Sequence, residues 1–499
     1  MFLEDLTGLV LWALFTVIVI NVVFLIFVFF RRVRRKRYYK DKDGARIRFQ
    51  PVVAELAANY ITVEEAAEFL REAHSKVERD AVQELLFSAM TAENEGRVSK
   101  LFFMLGYVER WSKKAYGRGR AAKVIDAALQ HEQPTTLAAE KSPLDGYRRL
   151  RVSSVPRAVA IYNLGRLAPE YSTLFAAEAL RDPATDVRRS AIAALGRNRN
   201  VAAIPLLVEE LRKSIEEHSD VSIRSTKAAL AFYSLAELRQ FVPYLTHPNR
   251  RLRFFIVDIV RDITNKAARN TTLSKNDFAP QLYEIYLQKV VNDDFGDVRA
   301  RSVAVIRHFH DQRAAQALRA LLSDENEFVR LHAVRAAADP HYIDLIPQIV
   351  PLMADRKWRV REAAVRTLGS FGSAGTSQVY RYFLQSKDNY ASEQIADEIQ
   401  RVGFMTHVTD FHVGGGEDAS LVQNVFHKMA GMKKTSLMNN MVASGSAPEL
   451  RMMLMDALAT APTAELPGVL EAIAKSDTGE VGVRAGALLR KIQTPGGNA

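Results

Sequence analysis

The chain has 499 residues and a formal net charge of +11, with 48% hydrophobic residues, 25% charged residues and no cysteine. The lack of cysteine excludes disulfides, thiolate metal sites and cysteine nucleophiles. The positive charge invites a nucleic-acid reading, but its location undoes most of it. Residues 31–48 hold ten Lys or Arg against two Asp, Glu4 and Asp5 subtract two, and the 451 residues that follow carry only +5.

Residues 1–30 read as a transmembrane anchor. Leu6 to Phe30 is 25 residues without a charge, rich in Leu, Val, Ile and Phe. At about 1.5 Å per residue that crosses a hydrocarbon core of about 30 Å with some tilt. A cleaved signal peptide would need a positive start and small residues at the cleavage site. Here the start is Glu4-Asp5 and the run ends in Val28-Phe29-Phe30. Asn21 is the one strongly polar side chain in the span and reads as tolerated, not as interhelical glue.

Residues 31–50 follow as a basic juxtamembrane linker. Arg31, Arg32, Arg34, Arg35, Lys36 and Arg37 stand immediately after the span. Such a cluster is drawn to anionic lipid headgroups at roughly 1 kcal/mol per cation, and Tyr38 and Tyr39 suit the headgroup level. Cationic flanks stay in the cytoplasm, so the expected topology is single-pass in a cell inner membrane. The N-terminus lies outside and the rest is cytoplasmic.

Residues 51–147 read as a helical N-terminal cap or degenerate repeats. Thr62 is a plausible N-cap before the acidic turn Glu64-Glu65. Gly117-Arg118-Gly119-Arg120 reads as a solvated turn. Pro and Gly clusters place a loop-rich boundary near 131–147.

From residue 148 to 493 a period of about 31 residues takes over. Hydrophobic–Arg steps recur at Val187-Arg188, Val298-Arg299, Val329-Arg330, Val360-Arg361 and Val483-Arg484. Asp182, Asp293, Asp324 and Asp355 each stand five residues ahead of a valine. The spacing from Leu252 to Val298 is 46, which implies an insertion near 265–277. Further anchors fall at Val155, Ile223 and, by extrapolation, Ala391, Leu421 and Leu450. Leu164-Gly165, Leu195-Gly196 and Leu368-Gly369 read as glycine stops at helix ends. A fixed period of this length signals an α-solenoid, and solenoids usually bind rather than catalyse. Residues 494–499 read as a disordered tail.

The Asp, the Val-Arg five residues later and the Ala-rich helix ending in Leu-Gly resemble the HEAT repeat in its short bacterial form. The resemblance covers about 150–490. The tetratricopeptide alternative runs at 34 residues with Trp, Tyr and Pro landmarks that are not seen here. The HEAT resemblance implies helical hairpins and an Asp–Arg ladder between successive repeats. That ladder would include Asp182, Arg188, Asp293, Arg299, Asp324, Arg330, Asp355 and Arg361, in a structural role. The overall expectation is an all-α solenoid behind a single transmembrane helix.

No Ser/His/Asp or paired-carboxylate arrangement stands out, so the chain is not expected to be an enzyme and no catalytic, cofactor or metal site is assigned. His407, Asp410 and His412 have a spacing that fits no standard zinc motif. Gly414-Gly415-Gly416 lacks the Lys-Ser/Thr of a phosphate loop. Met429, Met432, Met438, Met441, Met452, Met453 and Met455 read as gap-filling or as an adaptable surface. The expected role is a membrane-anchored scaffold that docks a membrane-associated protein, with no nucleic acid and no small-molecule substrate. The alternatives are a bilin-lyase-type enzyme and a nucleic-acid-binding solenoid.

Overall fold

The computed structural model describes residues 2–131, 153–217, 220–401, 417–443 and 446–493, with side chains at Trp12, from Leu14 onward and, in the fourth stretch, from Ala419. Every regular element among the described residues is helical. The expectations for the loop near 131–147, for His407, Asp410, His412 and Gly414–Gly416, and for the tail fall largely or wholly outside the described residues. The chain divides into two compact units, Met1–Phe232 and Tyr233–Ala499.

The first unit opens with α1, Phe2–Ala57, one unbroken helix of 56 residues. The described apolar side chains from Trp12 to Phe30 lie open along it, for example Trp12 at 72% and Phe30 at 66% exposure. Asn21 and Thr16 donate to Val17 O and Trp12 O of their own helix at 2.8 Å, so neither asks for a partner.

The second part of α1 is the finding the sequence did not suggest. Residues 31–50 are helix, and their latter half belongs to the packed body. Lys42, Ala45, Phe49, Val53 and Leu56 are buried at the three-to-four-residue spacing of one helix face. They pack on α3, Lys76–Ala89, and on α2, Val63–Leu70. Lys42 and Arg46 both bond Glu84, and Tyr38 Oη donates to Asp80 at 3.0 Å. Pro51 lies on the exposed side, where water reaches the carbonyl its missing N–H leaves open.

Thr62 caps α2 with a capping box to Glu65, and Ser75 does the same for α3 with Glu78. Then come α4 (Glu95–Met104), α5 (Tyr107–Tyr116), α6 (Arg118–Leu129), α7 (Ser154–Leu164), α8 (Pro169–Ala179), α9 (Thr185–Asn198), α10 (Ile204–Glu216) and α11 (Ile223–Leu230). Packing runs across the boundary expected near 131–147. Ser99 Oγ accepts from Ala168 N at 2.8 Å, Tyr116 Oη donates to Phe175 O at 2.5 Å, and Arg120 grips Glu178 twice at 2.9 Å. Arg118–Arg120 therefore begin a packed helix and are not a solvated turn.

The second unit stacks α12 (Arg250–Ala267), α13 (Pro280–Gln288), α14 (Gly296–Ile306), α15 (Gln312–Leu322), α16 (Glu327–Ala336), α17 (Ile346–Ile349), α18 (Trp358–Ser370), α19 (Ser373–Gln385), α20 (Asn389–Ile399), α21 (Glu417–Gly431), α22 (Ser436–Ala443), α23 (Pro448–Thr460), α24 (Leu466–Ser476) and α25 (Glu480–Gln493). The first helices of successive hairpins, α12, α14, α16, α18 and α20, lie against one another in turn. The extra residues before Val298 lengthen α12 to 18 residues and the connection to α13. Pro340, Pro347 and Pro351 break the partner of α16 into α17 flanked by two 3₁₀ turns. Met429, Met438 and Met455 are buried and fill core, whereas Met432, Met441, Met452 and Met453 are half-buried.

Two readings of the pattern are corrected. Val155 and Val483 are exposed, at 64% and 69%; Arg157 and Ala160, and Val481 and Ala485, take the buried places instead. The Leu-Gly glycines are not left-handed stops. Gly165 has φ −74°, and Gly196 and Gly369 lie within helices. Gly165 and Gly196 are points of close approach: a Cβ on Gly165 would stand 2.3 Å from Ala194 Cβ, and one on Gly196 would stand 2.6–2.8 Å from Ala229. At Gly196 two of the three near atoms are backbone, so relief requires moving α9 from α11. Gly196→Ala is therefore expected to cost about 1–3 kcal/mol despite its better helix propensity. Urea unfolding of the full chain in detergent measures it; an unchanged or raised midpoint contradicts the close-approach reading.

Candidate functional surfaces

The arginine of each hydrophobic–Arg step projects from the first helix of a hairpin toward the start of the next. Arg299 makes paired bonds to Asp324 at 2.7 and 2.9 Å, and Arg330 to Asp355 at 2.7 and 3.0 Å. The third nitrogen of each turns back to its own repeat: Arg299 Nη1 donates to Asp293 O at 2.7 Å and Arg330 Nη1 to Asp324 O at 2.8 Å. Each aspartate has a second duty. Asp324 Oδ1 accepts from Asn326 N and Asp355 Oδ1 from Lys357 N, both at 2.8 Å, which closes the turn ahead of the next helix. One guanidinium thus ties two loops and one carboxylate, with planar two-point geometry that Lys cannot supply.

Three rungs escaped the sequence reading. Arg157 pairs with Asp182 twice at 3.0 Å, Arg253 with Asp293 at 2.7 and 2.9 Å, and Arg451 with Asp477 at 3.0 Å. Arg253 and Arg451 directly follow the anchors Leu252 and Leu450, so their positions were legible. Arg157 sits 25 residues before its aspartate, as Arg299 and Arg330 do. Two expected members depart. Arg188 reaches the carbonyls of Asp182 and Pro183 at 2.8 Å, because Lys213 stands where the next aspartate would fall. Arg361 meets Gln394 Oε1 at 2.9 Å, because Ser386 stands there.

Burial alone would raise the carboxyls of Asp324 and Asp355. The arginine bonds and the backbone N–H outweigh it and hold both below their ordinary range. The same bonds lift Arg299 and Arg330.

A second feature is a groove of about 250 Å³ beside these rungs, lined by Glu327, Phe328, Leu331, Lys357, Trp358 and Val360. Phe328 and Trp358 are exposed at 47% and 56%. The third is the basic stretch of α1, where Arg31, Arg32, Arg34, Arg35, Lys36 and Arg37 are all exposed. The fourth, not foreseen from sequence, groups His310, Asp339 and His341, whose ligand atoms lie within 4.8 Å of one another.

Stacked hairpins joined by an Arg–Asp ladder define an α-solenoid. Family models match it as HEAT repeats over residues 284–342, HEAT repeat over 345–374 and PBS lyase HEAT-like repeat over 187–213. The fold is an all-α solenoid of the HEAT type, and the matched stretches are HEAT repeats. No curated protein matches it. Among solved structures it is similar to an engineered protein (14% identity, TM-score 0.33, 78% of this chain and 99% of that one). It is similar to importin beta in an ammonium sulfate condition (12%, 0.33, 92% and 75%) and to human deoxyhypusine hydroxylase in complex with glycerol (15%, 0.21, 56% and 96%). These superpositions are too distant to bear on function.

Two predictions follow from the ladder. Arg330→Met leaves Asp355 buried without its partner and is expected to cost about 3–5 kcal/mol, whereas Arg330→Met with Asp355→Leu recovers much of it. Chemical denaturation of the four chains of the cycle reads the coupling; independent, additive losses would refute it. Because the folded-state carboxyls of Asp324 and Asp355 are depressed, their stabilisation is complete above the unfolded value near 4 and is lost as pH falls through the folded values. Thermal melts below about pH 4 should fall less steeply for Asp324→Asn than for the parent.

Proposed function

We propose that the chain is a membrane-anchored scaffold that presents its HEAT repeats to a membrane-associated protein at the cytoplasmic face. The observation that carries this reading is the continuity of α1. An open apolar stretch and a packed core face belong to one helix. The 25 uncharged residues measure about 37 Å, enough for a hydrocarbon core of about 30 Å. The first buried residue, Lys42, stands twelve residues past Phe30, about 18 Å further along. The exposed arginines fill that interval, at the depth of lipid headgroups.

The ladder supports a protein-binding reading over a nucleic-acid one. The recurrent arginines Arg157, Arg253, Arg299, Arg330 and Arg451 are each engaged by an aspartate between repeats, which is a structural use and not a phosphate-binding one. Tethering raises the effective concentration of a weak partner, so no exceptional affinity is required. Phe328 and Trp358 are the contact we assign first, since exposed aromatics bordering a groove supply area at low entropy cost. We assign no catalytic role to the chain.

The absence of cysteine permits a direct test. With single cysteines at Glu4→Cys and Lys475→Cys, an impermeant maleimide on intact cells should label the first only, and permeabilised cells should show both. The reverse pattern overturns the orientation, and extraction of the chain from membranes by alkaline carbonate overturns the anchor. Pull-downs in mild detergent should use the full chain with 6–30 exchanged for an unrelated span. A chain started at Pro51 would lose Lys42, Ala45 and Phe49 from the core. A partner retained in the exchange but lost with Trp358→Ala places recognition on the solenoid; one lost in the exchange places it on the span.

A further inference from the structure

The 31-residue period has a consequence beyond the ladder. Positions 308 and 310 of one repeat fall beside 339 and 341 of the next. His310 and His341 are stacked, with ring centroids 4.2 Å apart and planes 11° apart. Asp339 reaches both rings: its Oδ2 lies 3.2 Å from His310 Nε2 and its Oδ1 lies 2.7 Å from His341 Nδ1.

We propose that His310, Asp339 and His341 bind one divalent transition-metal ion of the zinc class, with a further coordination position open to a polar cleft. The donor set is two imidazoles and one carboxylate, which is suited to zinc and not to calcium or magnesium. Ligand bonds of about 2.0–2.2 Å around a tetrahedral ion place donor atoms about 3.3–3.6 Å apart. Both nitrogen–oxygen distances, 3.2 and 2.7 Å, fall below that edge and the two rings lie in near-parallel planes, so ion entry requires the carboxylate to draw back and the exposed His341 ring to turn until its plane also contains the ion.

The surroundings hold the ligands in place. His310 has φ +53°, a left-handed backbone that costs a non-glycine residue roughly 1 kcal/mol or more. Its N–H donates to Tyr342 Oη at 3.3 Å, and that hydroxyl lies 3.1 Å from Arg307 O. Asp339 Oδ1 accepts from His341 N at 3.0 Å, which orients the carboxylate. The adjoining cleft of about 380 Å³ is lined by Asn270, Thr271, Thr272 and His308, together with His310 and Asp339. Water reaches the ion from that side. Three protein ligands and an open position differ from the closed four-ligand set of a purely structural ion. An ion here joins two successive repeats, so binding should raise the unfolding temperature by mass action.

The test uses the untagged full-length chain in detergent, stripped with chelator, then titrated with zinc(II) and with cobalt(II) as a spectroscopic probe. One ion per chain is expected, with the intense visible absorption of tetrahedral cobalt and a melting temperature that rises with metal. His341 is exposed, so His341→Ala folds and isolates ligation from stability. Because losing an outer-shell partner alone weakens affinity about 10–100-fold, His341→Ala and Asp339→Asn should each lose at least that much. Binding that persists in His341→Ala overturns the site. So does loss of binding in His407→Ala/His412→Ala with His341 intact, and so does no binding by the parent chain.

Discussion

The structure depends on one repeated bond, the guanidinium of a first helix reaching the aspartate that starts the next hairpin. In a solenoid each repeat buries its apolar face only against its neighbours, so the register between neighbours must be set locally. Apolar packing alone tolerates sliding. A two-point Arg–Asp bond whose aspartate also closes the next turn does not. Arg299, Arg330 and Arg253 each meet this requirement with all three guanidinium nitrogens engaged. Where the aspartate is missing, at the positions Arg188 and Arg361 would reach, carbonyls and an amide oxygen receive the arginine instead. Arg188 and Arg361 thus both keep hydrogen-bond partners without an aspartate.

The same register explains why a metal-type cluster arises without any local motif. A repeat of constant length brings equivalent positions side by side, so two histidines 31 residues apart become neighbours. The glycines play the complementary part, letting first helices approach where Gly165 faces Ala194 and Gly196 faces Ala229. Helix α1 adds the second principle of the molecule. Its length is split between an open apolar segment and a face held by the buried Phe49 and by the bonds of Lys42 and Arg46 to Glu84, all in one unbroken helix.

Much of this was legible beforehand, for a definite reason. Asp293, Arg299, Asp324, Arg330 and Asp355 stand out because chemistry that repeats at a fixed interval is visible in one dimension. The pairing of Arg253, though not its position, was hidden because its aspartate lies 40 residues on, across an insertion, instead of 25. Arg157 was hidden because the hydrophobic anchor nearby was placed on the exposed Val155. The basic segment read as a linker because its cations outnumber its apolar residues; only the packing of Ala45, Phe49 and Val53 on α3 shows that it is part of the body.

The sequence by itself determined the helical class, the repeat period, the apolar stretch and most of the ladder, because each is a matter of periodicity or composition along the chain. Tertiary structure decided which face each residue presents and which distant residue it meets. That is why Lys42 is paired with Glu84, why Gly196 is a contact and not a stop, and why His310 lies on His341. These depend on the lateral approach of helices, a distance in space that linear spacing records only when both partners happen to share the period.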